Sequence, residues 1–167
     1  METTRRVPAV GGRELLAALA FVAIVNAVGA SPALLGGPNS AWFAALEKPW
    51  FYPPAATFGI VWTLLFTLQG IALWLVWRRG TSRPDVRAAL AAFVVQFLVN
   101  LAWTPAFFTL QNPPLGLAII AALFVAVIAT LAAFARVDRR AAALLVPYLL
   151  WVGFAAVLNY ELWRLNG

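Results

Sequence analysis

Five stretches of the chain, about residues 15–35, 55–77, 88–110, 113–135 and 141–163, are apolar almost without interruption. Each has the ~20 residues that a helix needs to cross the hydrocarbon core of a bilayer. The reading is an all-α integral membrane protein, a five-helix bundle forming a single domain over residues 1–167. Composition agrees: 63% of the residues are hydrophobic and 11% charged, where soluble domains carry about 25% charge, and the mean hydropathy is +0.86. Arg5, Arg6 and Arg13 precede the first run as they would in a signal peptide. That run is too long for one and lacks a convincing small-residue cleavage site, so it reads as a retained span.

Cysteine and histidine are absent and the single methionine is Met1. Disulfides, cysteine nucleophiles and the usual soft or imidazole metal ligands go with them, so no metal site and no required cofactor are expected. The net charge of +6 does not point to nucleic acid, because the basic residues lie in short loops rather than on one folded face. Ten of the twelve, Arg5, Arg6, Arg13, Arg78, Arg79, Arg83, Arg87, Arg136, Arg139 and Arg140, fall on one side of the five-span topology; Lys48 and Arg164 fall on the other. Positive residues are retained in the cytoplasm. The N-terminus and loops two and four are therefore expected inside, and the C-terminus and loop one outside.

Loop one, residues 36–54, is long and stiff. "PNSAWFAAL" offers Asn39 or Ser40 as an N-cap for a short helix, and "EKPWFYPP" fixes the backbone at Pro49, Pro53 and Pro54. Such a loop suits a semi-rigid lid over the outer helix ends. Inside the spans, ionisable residues occur only at the ends, as with Glu14 and Glu161, which speaks against an ion-coupled pump. The third run places Gln96, Asn100, Trp103 and Phe107 on one helical face, and the second places Phe58, Trp62, Phe66 or Leu65, and Gln69 at nearly the same spacing. Trp74, Trp77 and Trp163 sit at span ends, where an interfacial belt is expected. Trp62 and Trp103 lie roughly 10 Å below the outer ends of their helices, and Trp151 is near mid-membrane. Three indoles and Asn100 at matching depth beneath a stiff lid predict a pocket for a flat, apolar ligand, with stacking for affinity and an amide for orientation.

The stretches "WFAALEKPWFYPP", "FGIVWTLLF", "LVNLAWTPAFF" and "LVPYLLWVGFAAVLNYELWRLN", in this order across nearly the whole chain, resemble the translocator protein family, also called tryptophan-rich sensory protein or peripheral benzodiazepine receptor. The resemblance implies a membrane receptor or sensor, often a homodimer, that binds porphyrins in a cavity under loop one. Its ligand contacts carry over to Phe43, Pro53, Trp62, Phe66, Asn100, Trp103, Trp151 and Ala155, with a protoporphyrin-type tetrapyrrole as ligand. The family's sterol motif matches Leu158, Tyr160 and Arg164, making a sterol the second expected partner beside the lipid bilayer. Trp62 and Trp151 match residues implicated in light-dependent porphyrin degradation, so an oxidative enzyme is one alternative and a porphyrin or sterol transporter another. No conventional catalytic constellation accompanies them. Phe43 stands where many members carry tyrosine, and Phe51 where they usually carry tryptophan. For a dimer seam, the small residues Ala88 and Ala92, with Ala89 and Ala91 beside them, have the required spacing.

Overall fold

The computed structural model describes residues 11–167; Arg5 and Arg6 lie outside the described residues. Every regular element is helical. The order is α1 (Gly12–Ala30) continued by a 3₁₀ turn (Ser31–Leu34), a short α2 (Ala41–Ala45), α3 (Ala55–Trp77), α4 (Pro84–Thr104) continued by a π turn (Pro105–Thr109), α5 (Pro113–Val137) and α6 (Arg139–Asn166). Five of these are long and apolar enough to cross a membrane. Helix α3 packs on α6 and α4, α5 closes the ring between α4 and α6, and α1 lies outside against α3. Its face away from α3 presents exposed Leu15, Leu19 and Ile24, as a wall in contact with lipid tails should.

The expected spans shift at their ends for identifiable reasons. Helix α4 starts at Pro84 rather than near residue 88, because proline at a first helical position loses no hydrogen bond. Helix α3 covers the expected residues 55–77, with Pro54 as its N-cap. Helix α5 begins at Pro113, where Asn112 Oδ1 accepts from the Leu115 amide at 3.0 Å; Gln111, at φ 50°, makes the turn before it. At the end of α4 the ladder widens: Leu110 N–H reaches back to Pro105 O at 2.9 Å. Proline at 105 cannot supply an N–H to a regular ladder, and a widened turn re-aims the side chains after it. Phe107 and Phe108 thereby point under the lid.

Close approach of α1 to α3 rests on Gly70. A Cβ there would lie 2.6 Å from the Val22 Cα, a backbone atom that cannot step aside. Trp74 corrects an expectation. It is 8% exposed rather than interfacial, buried between helices with the Arg78 guanidinium 4.7 Å from its ring centroid. Trp77 and Trp163, by contrast, are exposed at their helix ends. The alanine seam is also split: Ala89 is buried and Ala92 half-buried, its carbonyl accepting from Thr130 Oγ1 at 3.1 Å, while Ala88 and Ala91 face outward.

The arginine-rich end is fastened by Asp138, between α5 and α6. Its side chain caps α6 by accepting from the Arg140 amide at 2.9 Å and pairs with the Arg79 guanidinium from the end of α3. Burial pushes the Asp138 carboxyl up, but Arg79 and the Arg140 amide outweigh it and hold the group below the ordinary carboxylate range. A depressed native value means stabilisation that is complete above the ordinary value and disappears as pH falls through the native one. Asp138→Asn should lower the thermal midpoint in detergent at neutral pH by the equivalent of about 1–2 kcal/mol for the weakened cap and lost pair. The gap between the two proteins should then narrow as pH drops below about 4. A gap independent of pH would mean that the pair contributes nothing.

Candidate functional site

Beneath the lid lies a cavity of about 470 Å³, walled by α1, α3, α4 and α6, with α5 at its back. The lid is built locally. Ser40 caps α2 by accepting from the Phe43 amide at 3.2 Å, which turns Phe43 inward. There Phe43 is buried among Tyr52, Phe107 and Phe108, with ring centroids 5.2 to 6.1 Å apart. Lys48 Nζ donates to the carbonyls of Phe43 and Leu46 at 3.0 and 3.1 Å and sits 4.9 Å from the Phe43 ring centroid. At the far side Asn166 clasps the loop: Glu47 N–H donates to Asn166 Oδ1 at 2.8 Å, and Asn166 Nδ2 donates to Glu47 O at 2.9 Å. The lid therefore hangs on the last turn of α6.

Of the residues expected at the site, Phe43, Trp62, Phe66, Asn100, Trp103, Trp151 and Ala155 line the cavity. Pro53 does not; its neighbours Tyr52 and Ala55 do, because Pro53 serves the bend into α3. The sterol set divides. Leu158 is buried and faces the cavity, whereas Tyr160 and Arg164 are on the outside, where Arg164 pairs with Glu161 at 2.7 Å. On a helix, residues 158 and 160 point about 200° apart, so a motif counted along the chain need not share a face.

The walls are aromatic and interlocked. Trp62 stacks on Phe66 at 5.2 Å and Trp103 on Phe107 at 5.3 Å; Trp151 meets Phe58 at 5.9 Å and Phe154 at 5.2 Å. The indole N–H groups differ in what they have left to give. Trp103 Nε1 donates to Asn159 Oδ1 at 3.0 Å, and Asn159 Nδ2 to Pro113 O at 2.9 Å. Trp151 Nε1 is buried with no partner. Asn100 Nδ2 is held by the Tyr148 hydroxyl at 2.7 Å. Among the described residues no ionised side chain lines the cavity. The space suits an uncharged, flat body, and any charged substituent has to remain at the mouth.

Several wall residues were not expected. Helix α1 contributes Asn26 and Gly29, and its 3₁₀ continuation Ala33; Asn26, an amide within an otherwise apolar run, is the one signal that could have marked that face. Asn159 in the wall, and Tyr148 behind Asn100, were readable: positions 148, 151, 155 and 159 fall on one face of α6, and Trp151 already marked it. Asn166 carried no signal, since its partners are backbone groups distant in the chain.

A family model described as the TspO/MBR family matches residues 20–164. The chain is 41% identical over 129 residues to the tryptophan-rich protein TspO of Chlorobaculum tepidum, covering 77% of this chain and 82% of that one. It is 36% identical over 148 residues to the tryptophan-rich sensory protein of Cereibacter sphaeroides, covering 89% and 90%. It is 37% identical over 133 residues to the translocator protein of Homo sapiens, covering 78% of each.

Removing the clasp should loosen the lid without disturbing the bundle. In Asn166→Ala, amides of residues 40–52 should exchange with deuterium about tenfold faster or more, for two lost hydrogen bonds near 1 kcal/mol each, while those of α5 remain protected. Unchanged lid exchange would show that aromatic packing alone holds it.

Proposed function

The chain belongs to the TspO/MBR family of membrane proteins, and from that premise we propose that it is a receptor or sensor for a flat, largely apolar small molecule of the porphyrin class. The observation that carries the reading is one neutral cavity shared by Trp62, Trp103 and Trp151 under a clasped lid. Indole faces supply stacking area, and Asn100 an amide that lines the cavity and is held from behind by the Tyr148 hydroxyl. A volume of about 470 Å³ lies within the roughly 300–1,000 Å³ of small-molecule sites. The carboxylates of a tetrapyrrole would stay at the lid side, toward Lys48.

Oxidative degradation of bound porphyrin under light is the second reading, favoured by the position of Trp62 and Trp151, two oxidisable indoles, in the same wall. Product formation under illumination, absent in Trp151→Phe, would separate it from binding alone. For a sterol, the outward pair Tyr160 and Arg164 remains as a surface patch without Leu158. For a homodimer, the outward side of α4, with Ala88, Ala91, Val94, Val95 and Leu98 exposed, replaces Ala88 with Ala92 as the proposed seam.

Trp62→Ala should weaken binding of a metal-free porphyrin, followed by tryptophan quenching, by about 1–3 kcal/mol. Trp50→Ala is the control: that residue is 95% exposed on top of the lid and should bind normally. Equal affinity in both variants would remove the cavity as the site. With histidine and cysteine absent, and tyrosine the only side chain of a known haem-ligand type among the described residues, metal-free porphyrin should bind about as tightly as haem. A markedly tighter haem complex with a protein-ligated spectrum would contradict that.

A further inference from the structure

The cavity continues downward into a chain of four buried side chains. Asn100 Nδ2 donates to the Tyr148 hydroxyl at 2.7 Å, that hydroxyl donates to Gln96 Oε1 at 3.0 Å, and Gln96 Nε2 donates to Gln69 Oε1 at 3.3 Å. Run this way, the chain leaves the Asn100 oxygen free to face the cavity, and Gln69 Nε2 ends without a partner although Gln69 is 0% exposed. The opposite direction needs almost no movement of heavy atoms, because the two ends of a carboxamide have nearly the same size and each can rotate by a half turn. Gln69 then donates to Gln96, Gln96 to Tyr148, and Tyr148 to Asn100 Oδ1, so that Asn100 turns its NH₂ to the cavity. The unmet group at Gln69 becomes an acceptor, and an orphaned carbonyl oxygen is tolerated more readily than an orphaned N–H. Neither direction satisfies Gln69, and the end that a ligand can satisfy is Asn100.

We propose that Gln96, acting through Tyr148, determines whether Asn100 offers the ligand an acceptor or a donor, and that the intact chain can present either. This specificity role rests on the cavity being the ligand site. With Gln96 and Gln69 both present, a ligand N–H holds one direction and a ligand carbonyl holds the other. Replacing Gln96 by methionine removes the acceptor below Tyr148. The hydroxyl proton then has one partner left, Asn100 Oδ1, and the amide is locked with its NH₂ toward the ligand. Gln96 touches no ligand in this scheme; it is a positioning residue.

Two flat three-ring probes of nearly equal shape test it: carbazole, with a ring N–H, and fluorenone, with a ring carbonyl, each titrated into the full chain in detergent by tryptophan quenching. The intact protein should bind both within about threefold of each other. Gln96→Met should shift the ratio toward fluorenone by about tenfold or more, since carbazole would then leave its donor facing a donor. Adding Tyr148→Phe to Gln96→Met should return the ratio to that of the intact protein, because Asn100 is then free to turn. Damage to packing weakens both probes alike and leaves the ratio where it was. An unchanged ratio in Gln96→Met with both probes still binding overturns the specificity role alone. Failure of both probes to bind the intact protein overturns the cavity as a ligand site, and this role with it.

Discussion

A polar atom inside a bilayer has no water to turn to, so each one must find its partner within the bundle or remain at a cost of several kcal/mol. That constraint organises the molecule. Gln69, Gln96, Asn100 and Tyr148 come from three helices and are buried together, which ties α3, α4 and α6 in one register. Asn159 does the same higher up, linking the Trp103 indole to the start of α5. Thr130 hands its hydroxyl to the Ala92 carbonyl across α5 and α4. Packing of leucines alone would allow these helices to slide, since lipid tails are as apolar as the helix faces.

The cavity exists because the same bundle is spread at one end and closed at the other. At the arginine-rich end Asp138 draws Arg79 and the start of α6 together, and Gly70 lets α1 close on α3. At the lid end, α4 leaves its regular path at the π turn, α2 and the proline loop cover the gap, and Asn166 fixes that cover to α6. The space between is lined with rings already in contact with one another, so a ligand would meet walls whose geometry is set before it arrives. Preorganisation of this kind reduces the ordering cost of binding.

How much of this is legible in the chain follows from what kind of force sets each part. The spans are composition read against bilayer thickness, and their number and approximate extent follow directly. The face Gln96, Asn100, Trp103 and Phe107 follows from helical period alone, and it is indeed turned inward. Trp74 was misread because position along a span says depth, not azimuth; an indole at a helix end faces lipid or the bundle according to its neighbours. Tyr160 and Arg164 failed to join Leu158 for a similar reason, since a motif written along the chain ignores that helix residues two apart diverge. The contribution of α1 to the wall depends on tertiary approach, of which Asn26 is the only trace in residue identity, and the clasp at Asn166 depends on backbone partners, which residue identity does not encode.

The central claim is that the ligand sits among the three indoles beneath the lid. Its most direct test is a structure determined with a metal-free porphyrin bound. The ring system should lie in the cavity between Trp62, Trp103 and Trp151, under Phe43, with its carboxylates at the lid edge. A porphyrin found instead on the outer surface of α6 beside Tyr160, with the cavity empty, would contradict it.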